Sequence, residues 1–212
     1  MSEKYHSFGF VPDNEIATQY DYLAQSAYAG INEVIYLSGN TPVHRPNFIL
    51  SPEQLSELST MNQQVNGQVS LESIYPPLVR SGYASPSNPK YLLLSKDLTT
   101  ENANFVFGMS VTETGLSLQS VYRFLSLKKA DQQLCARHIA RHEYGHLLGL
   151  DSSTINSQDR RSGLYRGHCI NECTMHQVMS VQETIKLANS LKHKKLAGFC
   201  IECASVLRDI NS

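Results

Sequence analysis

One segment of the chain has the spacing of a metal-binding helix: His142-Glu143-Tyr144-Gly145-His146-Leu147-Leu148-Gly149. On an α-helix, residues four apart lie on the same face, so His142 and His146 can both direct a ring nitrogen at one metal ion. Glu143 would then lie beside that ion, where a carboxylate can accept a proton from a metal-bound water. The pattern is typical of the active-site helix of a zinc peptidase.

The surrounding sequence predicts where this helix ends. Residues 130–144 contain neither Gly nor Pro, and Leu134, Ile139 and Leu147 recur at a helix-compatible spacing. Gly149 is a good helix terminator, so the helix should stop soon after His146. The chain can then turn back and bring a later residue to the metal.

The third metal ligand is the open question of the sequence. Asp151 can bind zinc, but an Asp directly after a helix more often caps a turn, and Ser152 is a poor zinc ligand. His168 is the better candidate because it begins a segment rich in cysteine. His176 could compete with it.

Four of the five cysteines form two closely spaced pairs, Cys169 with Cys173 and Cys200 with Cys203. The pairs, and the absence of a secretory signal, favour reduced thiols used as metal ligands over a disulfide framework. Four thiolates would close a structural zinc site and leave no position for water. The alternative is that some of them are ordinary buried thiols, which is what we predict for Cys135.

With these motifs in order, the chain resembles the archaemetzincins, a family of zinc metallopeptidases. The matching residues are His142, Glu143, His146, Gly149, His168, Cys169, Cys173, Met175, Cys200 and Cys203, and the resemblance covers roughly residues 91–210. The chain departs from the family pattern in three places. A segment is inserted before the third His, so that Ser152 stands at its usual position; three residues separate the first two cysteines where four are usual; and the stretch from Met175 to Cys200 is longer.

The resemblance implies a catalytic zinc bound by His142, His146 and His168, with Glu143 as the general base that activates a zinc-bound water for peptide-bond hydrolysis. It implies a second, structural zinc held by the four paired cysteines, and hence two zinc ions per chain. Met175 would form the methionine turn beneath the catalytic site. The implied fold is α+β: a twisted mixed sheet of about five strands with an antiparallel edge strand, the zinc-binding helix, the methionine turn and C-terminal helices.

Local patterns predict the remaining elements. They are a helix over Glu15–Tyr28, a strand over Glu33–Leu37, a helix from Ser51 to about Val65, a strand over Val69–Ile74, a loop over Pro76–Pro89, and strands over Tyr91–Ser95, Phe105–Met109 and Leu118–Leu125. In the fold that this order resembles, Phe105–Val111 would be the sheet edge that binds an extended substrate by backbone pairing. Otherwise it would be an ordinary buried strand.

Several further residues receive other predictions. His138 lies one turn before His142 and is expected to be a packed histidine. His193, within a run of lysines, is expected on a solvated helix end. Met179 is a rival to Met175 for the methionine turn. No oxyanion stabiliser can be assigned, since Tyr83, Tyr165 and Arg166 qualify only by proximity to loops.

Length and composition are those of one domain. The 212 residues with 41% hydrophobic content can bury a sizeable core. We expect a single metallopeptidase domain over 1–212, with an N-terminal subdomain (1–150) carrying the sheet and zinc helix and a C-terminal subdomain (151–212) carrying the third His, the methionine turn and the four cysteines. The sequence contains neither a signal architecture nor an apolar run of about 20 residues, so a cytoplasmic protein is expected.

A net charge of −1 gives no reason to expect nucleic acid or a membrane as partner; a peptide or protein substrate is expected. Oligomeric state and cleavage specificity cannot be inferred from the sequence. Two other functions remain open. The chain could be a catalytically weak or inactive zinc-stabilised binding protein on the same fold, or a hydrolase of another zinc peptidase clan with Asp151 as the third ligand.

Overall fold

A computed structural model describes residues 8–40, 64–65, 67–151, 153–159 and 167–209. In chain order its elements are β1 (Gly9–Pro12), α1 (Asn14–Gln19), α2 (Asp21–Leu37), β2 (Gln64–Val65), β3 (Gln68–Ser70), α3 (Leu71–Arg80), β4 (Lys90–Leu94), β5 (Leu98–Thr100), β6 (Ala103–Val106), β7 (Gly108–Val111), β8 (Leu116–Ser120), α4 (Lys129–Leu147), α5 (Val181–Leu191) and α6 (Ile201–Asp209). Short 3₁₀ turns lie at Thr112–Thr114, Tyr122–Phe124 and Leu196–Gly198.

The main sheet has the strand order β1-β4-β8-β7. The first three strands are parallel, and β7 is antiparallel to β8 at the edge. Residues 91–93 of β4 are fully buried, as expected for a parallel strand covered on both faces. The expected α+β class with an antiparallel edge strand is confirmed.

A second sheet has the order β2-β3-β5-β6. It packs with α3 around a smaller core that contains Val69, Leu71, Ile74 and Leu98. The strands are therefore divided between two sheets of four, where one sheet of about five was expected. The predicted strand Phe105–Met109 belongs to both, because β6 ends at Val106, β7 begins at Gly108, and the chain passes from one sheet to the other between them.

The strand predicted over Glu33–Leu37 is wrong: these residues form the last turns of α2. Ala24, Ala27, Ile31 and Val34 are fully buried and recur at a helical spacing, so tertiary burial outweighs the β propensity of the short apolar run. This face of α2 packs against α4.

Other predicted boundaries also differ from those in the structure. The predicted helix Glu15–Tyr28 is divided into α1 and α2, and the strand predicted from Val69 gives way to α3 at Leu71. The predicted loop Pro76–Pro89 begins inside α3, which contains both Pro76 and Pro77. The strand predicted as Leu118–Leu125 ends at Ser120. The helix predicted from Ser51 lies outside the described residues, apart from the two that form β2.

The larger core joins α2, α4, one face of the main sheet and the C-terminal helices. Its fully buried members include Phe10 and Tyr91 from the first part of the chain and Met175 and Leu207 from the last. Both predicted subdomains thus contribute to one core. Cys135 is fully buried there, as predicted, and burial raises the pKa of its thiol to about 12. Among the described residues, no helix is long and apolar enough to span a membrane.

Candidate active site and metal centres

Helix α4 directs two imidazoles at one point. His142 Nε2 and His146 Nε2 are 3.2 Å apart, and His168 Nε2 lies 3.2 Å from His146 Nε2. The candidate ligand atoms of the three histidines all lie within 4.8 Å of one another. The structure therefore brings His168 to the helix despite the long segment between them.

The opposite ring nitrogens explain the orientation of the helix histidines. His142 Nδ1 is 2.9 Å from the carbonyl oxygen of Thr174, and His146 Nδ1 is 2.6 Å from that of Leu150. Because a carbonyl only accepts, each Nδ1 carries the proton and each Nε2 keeps its lone pair. Burial lowers the pKa of both imidazoles, and for His142 the neighbouring His146 and His168 lower it further. Adjacent lone pairs repel each other unless a cation lies between them, so this donor set fits a metal ion.

Glu143 is buried beside the histidines with 5% of its surface exposed. Its Oε2 accepts a hydrogen bond of 2.9 Å from the Ser110 hydroxyl. Burial raises the pKa of this carboxyl to about 8, and the bond from Ser110 acts in the opposite direction. A bound metal ion would also favour the ionised form.

Met175 is fully buried beneath α4. A Cβ atom added to Gly145 would lie 2.7 Å from the Met175 Sδ atom, so the helix needs a glycine here for space. Met179, the alternative candidate, is 37% exposed. Met175 thus has the position expected of a methionine turn.

The four paired cysteines form a second cluster, in which all Sγ atoms lie within 4.8 Å of one another. Cys169, Cys173 and Cys203 are buried, and no disulfide joins them. The neighbouring Cys173 and Cys203 side chains lower the pKa of Cys169, whose Sγ also lies 3.8 Å from Cys200 Sγ. The backbone N–H of Met175 donates to Cys173 Sγ at 3.3 Å, a contact that favours a thiolate. This cluster fits a closed zinc site.

The two clusters share one loop. Cys169 directly follows His168, and its N–H donates to the Met175 carbonyl at 2.9 Å. Thr174, whose carbonyl orients His142, donates from its own N–H to Gly198 O at 3.0 Å. Its hydroxyl donates to Ala197 O at 2.9 Å, close to Cys200. The loop that carries Cys169 and Cys173 therefore also carries His168 and contacts His142 through the Thr174 carbonyl.

Comparisons with known proteins agree with this geometry. No protein family model matches the chain. An archaemetzincin from Archaeoglobus fulgidus is 32% identical over 116 residues, which are 53% of this chain and 56% of that protein. The match thus spans about half the length of this relative.

Solved structures extend the likeness over nearly the whole chain. The archaemetzincin of Methanopyrus kandleri superposes with a TM-score of 0.66 at 19% identity and covers 99% of this chain and 98% of its own. This chain has the archaemetzincin fold. A zinc-dependent peptidase from Methanocorpusculum labreanum gives a TM-score of 0.64 at 17% identity, covering 95% and 100% of the two chains. The archaemetzincin of Archaeoglobus fulgidus complexed with malonate gives 0.56 at 20% identity, covering 94% and 99%. The resemblance to archaemetzincins in the sequence is confirmed.

The other candidate ligands are not members of the three-histidine cluster, although Asp151 lines the same cleft. The Asp151 carboxylate accepts 2.6 Å hydrogen bonds from both the N–H and the hydroxyl of Ser153, as in a turn after a helix. His176 Nδ1 lies 3.1 Å from Cys169 O, beside the cysteines. Ser152 lies outside the described residues.

Of the remaining predicted residues, His138 is 1% exposed and packed, as predicted, and neither ring nitrogen has a hydrogen-bond partner among the described residues. Burial lowers its pKa to about 3, with smaller contributions from Arg141 and His176. His193 is exposed after the end of α5. Tyr165 and Arg166 lie outside the described residues, and Tyr83 is absent from the cleft that contains the histidines.

A cleft of about 1000 Å³ opens over the histidines and Glu143. One wall is the chain from β5 to β7. Its lining includes the polar residues Thr99, Glu101 and Asn102 and apolar residues such as Phe105 and Val178.

Sequence reasoning missed three residues of this site. Gly108 and Ser110 contact Glu143 from β7, and Thr174 orients His142. None belongs to a sequence motif. The positions of Gly108 and Ser110 depend on strand register, and Thr174 lies in a loop that is distant from α4 in sequence. The weak signal was the G-x-S spacing in a predicted edge strand, which places both residues on one face.

Proposed function

We propose that this chain is a zinc-dependent metallopeptidase that hydrolyses peptide bonds. The observation that carries the proposal is the convergence of three imidazole Nε2 atoms beside one buried carboxylate. His142, His146 and His168 would hold the catalytic zinc, and Glu143 would be the general base.

The bound zinc would polarise the scissile carbonyl and lower the pKa of a coordinated water towards neutrality. The protein's own residues would transfer the proton and orient the metal ligands. The Glu143 carboxylate accepts the proton of the attacking water and delivers it to the leaving amine. The Thr174 and Leu150 carbonyls fix both helix imidazoles in the tautomer that leaves Nε2 unprotonated.

The substrate would be a peptide or protein segment in extended conformation. Among the described strands β7 pairs only with β8, so the N–H and C=O groups on its outer edge can pair with a peptide. Residues of β7 and Glu143 line the same cleft, so a peptide paired with β7 would lie next to the proposed general base.

A second zinc would be held by Cys169, Cys173, Cys200 and Cys203. Four thiolates fill a tetrahedral site and exclude water, so this zinc would stabilise the loop and take no part in the reaction. The chain would then bind two zinc ions, one catalytic and one structural.

Zinc per chain, measured by elemental mass spectrometry in the native protein and in His168→Ala purified in the same way, tests the metal assignment. We expect about two zinc ions to fall to about one. An unchanged value would remove His168 as a ligand and redirect the search to Asp151 or His176. One zinc in both proteins would favour a structural module.

Glu143→Gln tests the chemistry. It keeps the size of the side chain and both metal sites but removes the base. We expect turnover of a broad fluorogenic peptide library to be lost while about two zinc ions remain. A native protein with two zinc ions and no Glu143-dependent turnover would instead be a zinc-stabilised binding protein on this fold.

A further inference from the structure

Ser110 in β7 ends a short chain of hydrogen bonds at the general base. Its hydroxyl lies 2.9 Å from Glu143 Oε2. An ionised carboxylate only accepts, so Ser110 is the donor. Ser117, fully buried in β8, has its hydroxyl 2.6 Å from Ser110 Oγ. Because the single proton of Ser110 is directed at Glu143, Ser117 donates in that pair.

A second residue of β7 confines the same carboxylate. A Cβ atom on Gly108 would lie 2.6 Å from Glu143 Oε1 and 2.7 Å from both Cδ and Cγ. Gly108 is not among the glycines with positive φ, so the position needs a glycine for space and not for backbone conformation. Gly108 and Ser110 are two apart and face the helix together.

We propose that Ser110 is a positioning residue for Glu143. By holding Oε2, the Ser110 hydroxyl leaves Oε1 as the oxygen that receives the proton. Among the described residues, Oε1 accepts no hydrogen bond. This inference rests on the proposed peptidase function.

The inference connects the base to substrate binding. Thr112, directly after β7, donates from its hydroxyl to His146 O at 2.7 Å, so β7 and the turn that follows it contact α4 at two points. The strand whose outer edge would pair with the peptide thus also sets the position of the base and of a metal ligand. A peptide aligned on β7 is aligned with Glu143 through the same residue, Ser110.

Ser110→Ala removes the donor and tests the inference on a fluorogenic peptide that the native protein cleaves. A hydrogen bond to a charged group of this kind corresponds to about a 10- to 100-fold fall in kcat. We expect KM and the zinc content to remain those of the native protein. Ser110→Thr, which restores the hydroxyl, should recover most of kcat, and Ser117→Ala should cause a smaller loss.

Ser70→Ala is the matched control. The Ser70 hydroxyl donates to Glu72 Oε2 at 2.7 Å, a serine–glutamate bond of similar length in the second sheet. Its loss should leave kcat unchanged. The comparison separates the loss of a hydroxyl in general from its loss beside Glu143.

A crystal structure of Ser110→Ala provides a readout that does not depend on turnover. We expect the Glu143 carboxylate to occupy more than one rotamer. The inference is overturned by full kcat in Ser110→Ala, by equal losses in Ser110→Ala and Ser110→Thr, or by a single unchanged Glu143 rotamer. If the native protein has no Glu143-dependent turnover, the proposed function fails, and the rotamer result alone decides the positioning role.

Discussion

Gly108 leaves a space that the Glu143 side chain fills. The three closest approaches of an added Cβ, at 2.6 to 2.7 Å, are all to Glu143. Ordinary van der Waals contact needs about 3.5 Å or more, so the glutamate must move if a side chain is added. At this scale, catalytic geometry depends on the absence of one methyl group.

Gly108→Ala should therefore displace Glu143, the proposed general base, without disturbing the candidate zinc sites. We expect a fall of about tenfold or more in kcat, since general-base catalysis is worth roughly 10²- to 10⁴-fold and depends on geometry. Two zinc ions and an unchanged melting temperature should accompany it. Full kcat in this variant would show that Glu143 can shift at no cost.

The polar ring of His138 is buried in the core and has no hydrogen-bond partner in the described part of the chain. Its folded pKa of about 3 lies below the unfolded value of about 6.5, so the unfolded chain binds the proton first as the pH falls. The folded protein should lose stability between pH 6.5 and about 3, with little contribution above pH 6.5. At pH 5 the linked loss is about 2 kcal/mol.

His138→Leu should remove this dependence. Both ring nitrogens lack partners among the described residues, so an apolar replacement should also stabilise the protein at pH 7, by about 1 kcal/mol or more. Urea unfolding at pH 7 and pH 5, with zinc in excess for both proteins, measures the difference. The advantage of the variant should be larger at pH 5. An equal advantage at both values would contradict the assignment.

At the scale of elements, helices α2 and α4 meet where Gly30 faces Arg137. A Cβ on Gly30 would lie 2.4 Å from the Arg137 carbonyl oxygen, which belongs to the backbone of α4 and cannot rotate away. Glu33–Leu37 are helical because the buried face of α2 packs closely against α4. The short β-branched run by itself could not reveal a helix partner more than 100 residues away, which is why the sequence predicted a strand.

Gly30→Ala should have two opposing effects on the free energy of unfolding. Alanine favours an isolated helix by about 1 kcal/mol, whereas overpacking against a backbone costs about 1–3 kcal/mol. We expect net destabilisation, seen as a lower urea midpoint at constant slope. Gln25→Ala, at an exposed site on the same helix, is the control and should be neutral. A stabilised Gly30→Ala would show that the two helices can separate slightly.

The site residues that the sequence predicts are those whose spacing lies within one helix or one short segment. His142, Glu143 and His146 follow from helix periodicity, and the cysteine pairs follow from their close spacing. His168 is predicted from the cysteine-rich segment that it begins, and the family resemblance implies the same ligand. Ser110 and Gly108 could not be predicted, because the β7–β8 register and the packing of α4 on the sheet create their contacts.

At the scale of the whole molecule, the loop from His168 to Met175 joins the two candidate metal centres. Cys203→Ser should therefore affect both of them. We expect the zinc content to fall below two and turnover to be lost, because the loop that presents His168 and the Thr174 carbonyl is no longer fixed. Cys135→Ala, which removes the thiol outside the cluster, should keep both zinc ions. Full activity in Cys203→Ser would show that the centres are independent.

The shared loop also has a consequence for protein synthesis. His142 and His146 leave the ribosome well before the last cysteine pair, but the loop that completes their site is fixed only when Cys200 and Cys203 join Cys169 and Cys173. A nascent chain would therefore hold an unfinished catalytic centre until residue 203 has emerged. The proposed hydrolytic activity would therefore arise only after residue 203 has emerged.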